Sequence, residues 1–267
     1  MKIFGKFLKI NILEEMQYKA TFISGIICQF AFGFMYLFLY IAFFENGVPQ
    51  NFNQSQMASY IWLGQAFFAM FNYGDLCKKE ISQPIMTGNV SYQLLKPINI
   101  YDHWYWQTLA KAVAKMLLRF FPIVLVASLL PSGFNLSLPA SWGHFGVFAL
   151  SLVLGCMLMA AVKMIIYTIS AYALDAKGVF AICYAIFGFL GGSLIPLPML
   201  PVSIQKVLNF FPFRYISDLP YRVYIGNLTI KESLIQTAIQ AAWLVVLVVV
   251  CRIILTRKSR KMIVQGG

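Results

Sequence analysis

The chain has 267 residues, of which 60% are hydrophobic and only 11% charged, with a mean hydropathy of +0.73 and a formal net charge of +12. An average soluble domain carries about a quarter charged residues, so this chain has too few to cover a water-facing surface. A spanning helix needs about 20 apolar residues to cross about 30 Å of hydrocarbon. Six such runs fall near 20–44, 57–74, 112–131, 145–172, 178–195 and 233–256, which leaves no room for a separate soluble catalytic domain. The expected fold is an all-α integral membrane protein, a single transmembrane domain over 1–267 with six transmembrane helices.

Residues 1–19 open the chain. Ile3, Phe4, Phe7, Leu8 and Ile10 share one helical face and Lys2, Lys6 and Lys9 the other, the pattern of an interfacial helix. Ile12, Leu13 and Met16 then point to the former polar side, which predicts a bend or break near Asn11. The first apolar run is too long for a signal-peptide core and no small-residue cleavage site follows it, so it reads as a permanent span.

After the second run comes GDLCKKEISQPIMTGNVSYQLLKPINIYDHWYW, residues 74–106, a polar platform centred on 75–103. Asp75 to Gln83 is long enough for two helical turns, which Pro84 stops. Gly88 suits a turn, and a short amphipathic segment closes at Lys96-Pro97. Asn99 or Asp102 is placed to cap a new helix that carries Trp104, Tyr105 and Trp106 to the headgroup level. Lys111, Lys115 and Arg119 follow at four-residue spacing on one face. Snorkelling to headgroups explains Lys111 and Lys115. Arg119 lies about 12 Å beyond Lys111 at 1.5 Å per residue and is expected to face protein or a wet vestibule. Lys163 in the fourth run poses the same question and is expected to be shallow.

The fifth run ends at Pro196, Pro198 and Pro201, which cannot continue a spanning helix. The segment 196–232 is apolar and aromatic yet interrupted by Pro212 and Pro220. It is too fragmented to span and too greasy for a free loop, so a re-entrant or interfacial pair of short helices is expected. Such backbone is tolerated at membrane depth only where protein or a cavity shields it. No internal repeat or low-complexity tract occurs.

Lysine and arginine set the orientation. They populate 1–19, 75–119, Lys177 and the C-terminus, and are missing from 45–56 and 131–144. Both termini and the platform are therefore expected in the cytoplasm. The 196–232 segment resists, because Lys206, Arg214, Arg222 and Lys231 must then face outside with only Asp218 and Glu232 to offset them.

His103 and His144 fall on opposite sides in this topology, so no shared metal site or triad is expected, and no catalytic residue is assigned. All nine acids sit at span ends or in loops, which offers no buried carboxylate for proton or sodium coupling. The five cysteines are scattered and read as packed free thiols. The basic residues do not gather on one soluble face, so nucleic acid is not an expected partner. No phosphate-binding glycine loop is present. The protein is then either passive or driven by hydrolysis on a partner.

Two stretches carry a resemblance. GNVSYQLLKPINIYDHWYW (88–106) is similar to the glycine and Leu-Leu-x-Pro ahead of the third span in ABC-2-type transporter permeases, and NFFPFRYISDLPYRVYIGN (209–227) to their Pro-Phe-Arg and Pro…Gly pattern after the fifth. The likeness runs over nearly the whole chain, and the closest match is the six-span subgroup encoded with a separate ATPase and often a second permease. It implies a bacterial plasma-membrane exporter in which the 75–103 loop is a coupling helix docked on cytoplasmic ABC ATPase subunits. Two of these carry the ATP and Mg²⁺, so no cofactor is expected on this chain. A second permease, identical or homologous, completes the path within membrane lipid. By position, Glu80, Gly88, Tyr92, Leu94, Leu95 and Pro97 become coupling residues, and Arg119, Lys115 and Lys163 pore or vestibule candidates. Pro196, Pro198, Pro212, Phe213, Arg214 and Pro220 mark the outward re-entrant segment. The competing reading is a non-transporting scaffold or channel-like subunit without an ATPase.

Overall fold

The computed structural model describes residues 2–45, 52–71, 81, 99–170, 176–192 and 195–259. Among them the chain is entirely helical: α1 Lys2–Gln17, α2 Lys19–Glu45, α3 Gln54–Phe71, α4 Ile100–Ser128, α5 Trp142–Ser170, α6 Ala176–Leu190, a 3₁₀ turn Leu197–Met199, α7 Val202–Leu208, α8 Arg214–Tyr224 and α9 Ile230–Ser259. By length and composition, three helices are apolar enough to cross a membrane, over Lys19–Phe43, Trp142–Ser170 and Ile230–Arg257. α6 is apolar but shorter, and α4 runs twelve residues further towards the N-terminus than the apolar run at 112–131.

Polar caps fix where the helices begin. Asn99 accepts from the Tyr101 amide at 2.9 Å and starts α4. Asn53 and Gln56 bond reciprocally at the head of α3, Ser141 Oγ accepts from the His144 amide, and Thr229 and Glu232 form a capping box on α9. The caps of α3, α5 and α9 meet at one end of the bundle. There Ser55 bonds Ser137, the Gln56 amide reaches the Ile225 carbonyl, Tyr224 donates to the Ser137 carbonyl and His144 bonds the Leu228 carbonyl. At the opposite end Arg252 pairs with Asp102 at 2.9 Å and Asn99 reaches Thr256. His103 and His144 lie at these two opposite ends.

α1 does not break near Asn11. It is one helix to Gln17, with Asn11 buried and its amide donating to the Phe7 carbonyl. Its packed face lies along the first half of α4: Phe4 against Trp106, Phe7 against His103, and Glu15 at 3.8 Å from Lys115. The change of register reflects two different outer faces on one helix, lysines first and then exposed Ile10, Leu13 and Met16. Trp104 and Tyr105 also depart from expectation. Both are buried, Trp104 against Tyr167 and Tyr105 donating to the Met157 carbonyl, so they join α4 to α5 and do not face headgroups.

Candidate functional site

The segment between α6 and α9 folds back into the bundle. Pro196 and Pro198 shape the 3₁₀ turn, and Pro201 begins α7. Pro212 then forms the turn into α8, with its carbonyl accepting from Tyr215, while Phe213 stacks on Phe187 of α6 at 4.9 Å. Pro220 does not interrupt this segment, because it sits inside α8. Having no N–H, it leaves the Ile216 carbonyl without its intrahelical donor. That carbonyl abuts Gly155 of α5 so closely that a Cβ there would collide with it.

Gln240 of α9 secures the same turn. Its amide donates to the Tyr215 and Ser151 carbonyls and accepts from Ser151 Oγ. Gln240 lies about 15 Å along α9 from Ile230, whereas Tyr224 at the other end of α8 bonds the 134–141 loop. α8 therefore rises from well inside the bundle to its capped end.

Asp218 is the hub of this helix. It is fully buried, accepts from Tyr60 of α3 at 2.8 Å, from Arg222 at 2.8 Å and from Arg214 at 3.1 Å. Burial pushes its carboxyl up, but Arg222 and then Arg214, with the hydrogen bonds from Arg222 and Tyr60, hold it below the usual carboxylate value. Arg222 also lies over the Phe52 ring at 5.2 Å and reaches Gln205 and Asn227. A cavity of about 190 Å³ opens beside these groups, lined by Gln205, Lys206, Asn209, Arg214, Asp218 and Arg222.

This cluster corrects the expectation that no carboxylate is buried. Asp218 is in a connection by sequence, yet the connection is folded into the protein. It also explains two of the four cations that resisted the charge rule, since Arg214 and Arg222 share Asp218 inside the fold. Sequence reading passed over Tyr60, Ser151 and Gln240, and took Asp218 only as a loop acid offsetting nearby cations. The i, i+4, i+8 spacing of Arg214, Asp218 and Arg222 was the available signal.

The basic stripe divides. Lys115 is buried and paired with Glu15, so it does not snorkel. Lys163 is also buried, within α5. Arg119 is half-buried, with its guanidinium against Gly25 of α2 and its Nε without a hydrogen-bond partner among the described residues. Glu80, Gly88, Tyr92, Leu94, Leu95 and Pro97 lie outside the described residues. Among the described residues no group of three or more metal-ligating side chains occurs, and Cys28, Cys156, Cys183 and Cys251 are free thiols.

Among the described residues the chain is a helical bundle with three helices long and apolar enough to cross a membrane. The family model described as ABC-2 family transporter protein matches residues 30–266. The chain belongs to that family of membrane permeases. No curated protein and no solved structure matches it.

Proposed function

We propose that the chain is the permease subunit of an ATP-driven exporter in a bacterial plasma membrane. α2 to α6 and α9 are its six spans, with both termini and the 75–103 platform in the cytoplasm. Cytoplasmic ABC ATPase subunits, two per working unit, hold ATP and Mg²⁺. A second permease, identical or homologous, completes the path. The observation that carries this reading is the placement of α8. Its first turn is anchored at depth by Gln240 and Gly155, and it rises from there to the capped end, held by Tyr224. A plug of this form on the outer side suits a path opened from the opposite side.

The mechanical link is short. The platform joins α3 to α4; at that end α4 is tied to α9 through Asp102 and Arg252, and further along it is tied to α1 through Lys115 and Glu15. At the far end α3 holds α8 directly through Tyr60 and Asp218. A push on the platform by a closing ATPase dimer therefore reaches the outer plug through one rigid helix. Affinity purification of the tagged chain from its native membranes tests the reading. A nucleotide-binding protein should co-purify in near-stoichiometric amount; a chain recovered alone or with unrelated proteins contradicts it.

A further inference from the structure

Two polar side chains that the proposed mechanism does not use lie along the inward face of α2. Gln29 is 4% exposed, and neither its amide nitrogen nor its amide oxygen has a hydrogen-bond partner among the described residues. Arg119 sits with its guanidinium against Gly25, one turn before Gln29 on α2, and its Nε is likewise unpartnered. The inward face of α2 is fixed on either side of Gln29. Gly25 meets Arg119 and Gly33 meets the Trp62 ring, so Gln29 lies between them on the same stripe.

Depth follows from each helix separately. Gln29 is about 15 Å along α2 from Lys19, and Arg119 about 14 Å back along α4 from Ser128. In a hydrocarbon layer about 30 Å thick both counts end near the middle. Helical side chains lean towards their own N-terminus. α2 and α4 begin on the same side in the proposed topology, so both side chains lean the same way, towards the level of Gly25. Lys115, one turn earlier on α4, is already paired with Glu15. Among the described residues the charge on Arg119 has no such counterpart.

Buried polar groups are normally satisfied, and a charge in hydrocarbon is retained where it meets a ligand or pathway. A guanidinium and a primary amide together carry several N–H donors, the chemistry that binds phosphate or carboxylate oxygens. Both groups lie within apolar helical runs at mid-membrane depth, where an anion arrives more readily with an acyl or alkyl tail than free. From this geometry we infer that Arg119 and Gln29 form a mid-membrane site for the anionic headgroup of an amphiphile. The inference deepens the permease reading by naming a substrate chemistry, and it rests on that reading for the role of the ligand. Binding is measured without transport, so the two can fail separately.

The test uses the full chain in neutral maltoside micelles, with melting followed by tryptophan fluorescence. Dodecyl phosphate is the probe, dodecanol the neutral control and inorganic phosphate the free anion. Dodecyl phosphate should raise Tm saturably in the wild type and dodecanol should not. Arg119→Gln should weaken the response about tenfold or more, the scale of a lost charge-assisted contact. Gln29→Glu supplies Arg119 with an internal carboxylate. It should melt higher than wild type without ligand and lose the dodecyl phosphate response, which keeps the test open if Arg119→Gln fails to fold. Lys111→Gln, two turns away on α4, should keep the response. Stabilisation by inorganic phosphate at similar concentration would assign the site to an anion taken from water, and its absence to an amphiphile. A wild type without saturable response, or an equal response in Gln29→Glu, overturns the site.

Discussion

The carbonyl of Ile216 in α8 occupies the space that a side chain on Gly155 of α5 would need. Pro220 frees that carbonyl, and the missing side chain on Gly155 lets α8 close on α5. Gly155→Ala is expected to lower stability by about 1–3 kcal/mol, the usual cost of forcing extra volume into a packed interface. Gly146 on the same helix has open space around it. Gly146→Ala should be neutral or gain up to about 1 kcal/mol from helix propensity. Melting of the two variants in detergent measures the difference, and equal Tm values would mean that α8 does not pack here.

Asp218 holds two arginines and a tyrosine. Asp218→Asn leaves Arg214 and Arg222 without their counter-charge, and breaking a buried pair costs about 3–5 kcal/mol. The pH dependence has a definite sign. The folded carboxyl titrates below its unfolded value, so its stabilisation is fully present above about pH 4. It is lost as pH falls further, through the folded pKa. Tm of the wild type should show this loss on the acid limb, and Asp218→Asn should show less of it. An acid limb identical in both proteins would exclude Asp218 from the stabilising set.

Much of the architecture was readable. The apolar runs located the long helices within a few residues except for α4, which begins twelve residues before its run, and Asn99 was one of the two residues, with Asp102, placed to cap it. The failures share a physical cause. Hydropathy sees a residue type and not what covers it, so Asp218 read as a loop acid and Lys115 as a snorkelling lysine. Both are buried by elements distant in sequence, Asp218 by Tyr60 and Lys115 by Glu15. At Pro220 and Asn11 local rules were overridden by packing. The freed Ile216 carbonyl lies against α5, and Asn11 bonds back to Phe7 on the buried face of α1. The expected coupling residues fall outside the described residues.

The proposed orientation makes a labelling prediction. Single cysteines at Gln54, the first residue of α3, and at Ser137 and Asn227 lie at the capped end of the bundle, joined by contacts such as Ser55 with Ser137. They should react with an impermeant thiol reagent on intact cells, in a background lacking the native cysteines. Cysteines at Ser91 and Ser259 should react only after permeabilisation. Outside labelling at residue 91 would invert the scheme and remove the platform from the cytoplasm.

The central claim is that a separate ATPase drives this permease through the platform. Its direct test is the ratio of nucleotide-binding protein to permease in complexes purified through the tagged chain. The comparison sets wild type against Glu80→Lys and against the double variant Leu94→Asp, Leu95→Asp. Docking surfaces draw most of their energy from a few buried contacts. The account predicts a ratio near one for wild type and a loss of about tenfold or more in the double variant, with unchanged permease in the membrane. An undiminished ratio and wild-type ATP turnover in both variants would contradict it.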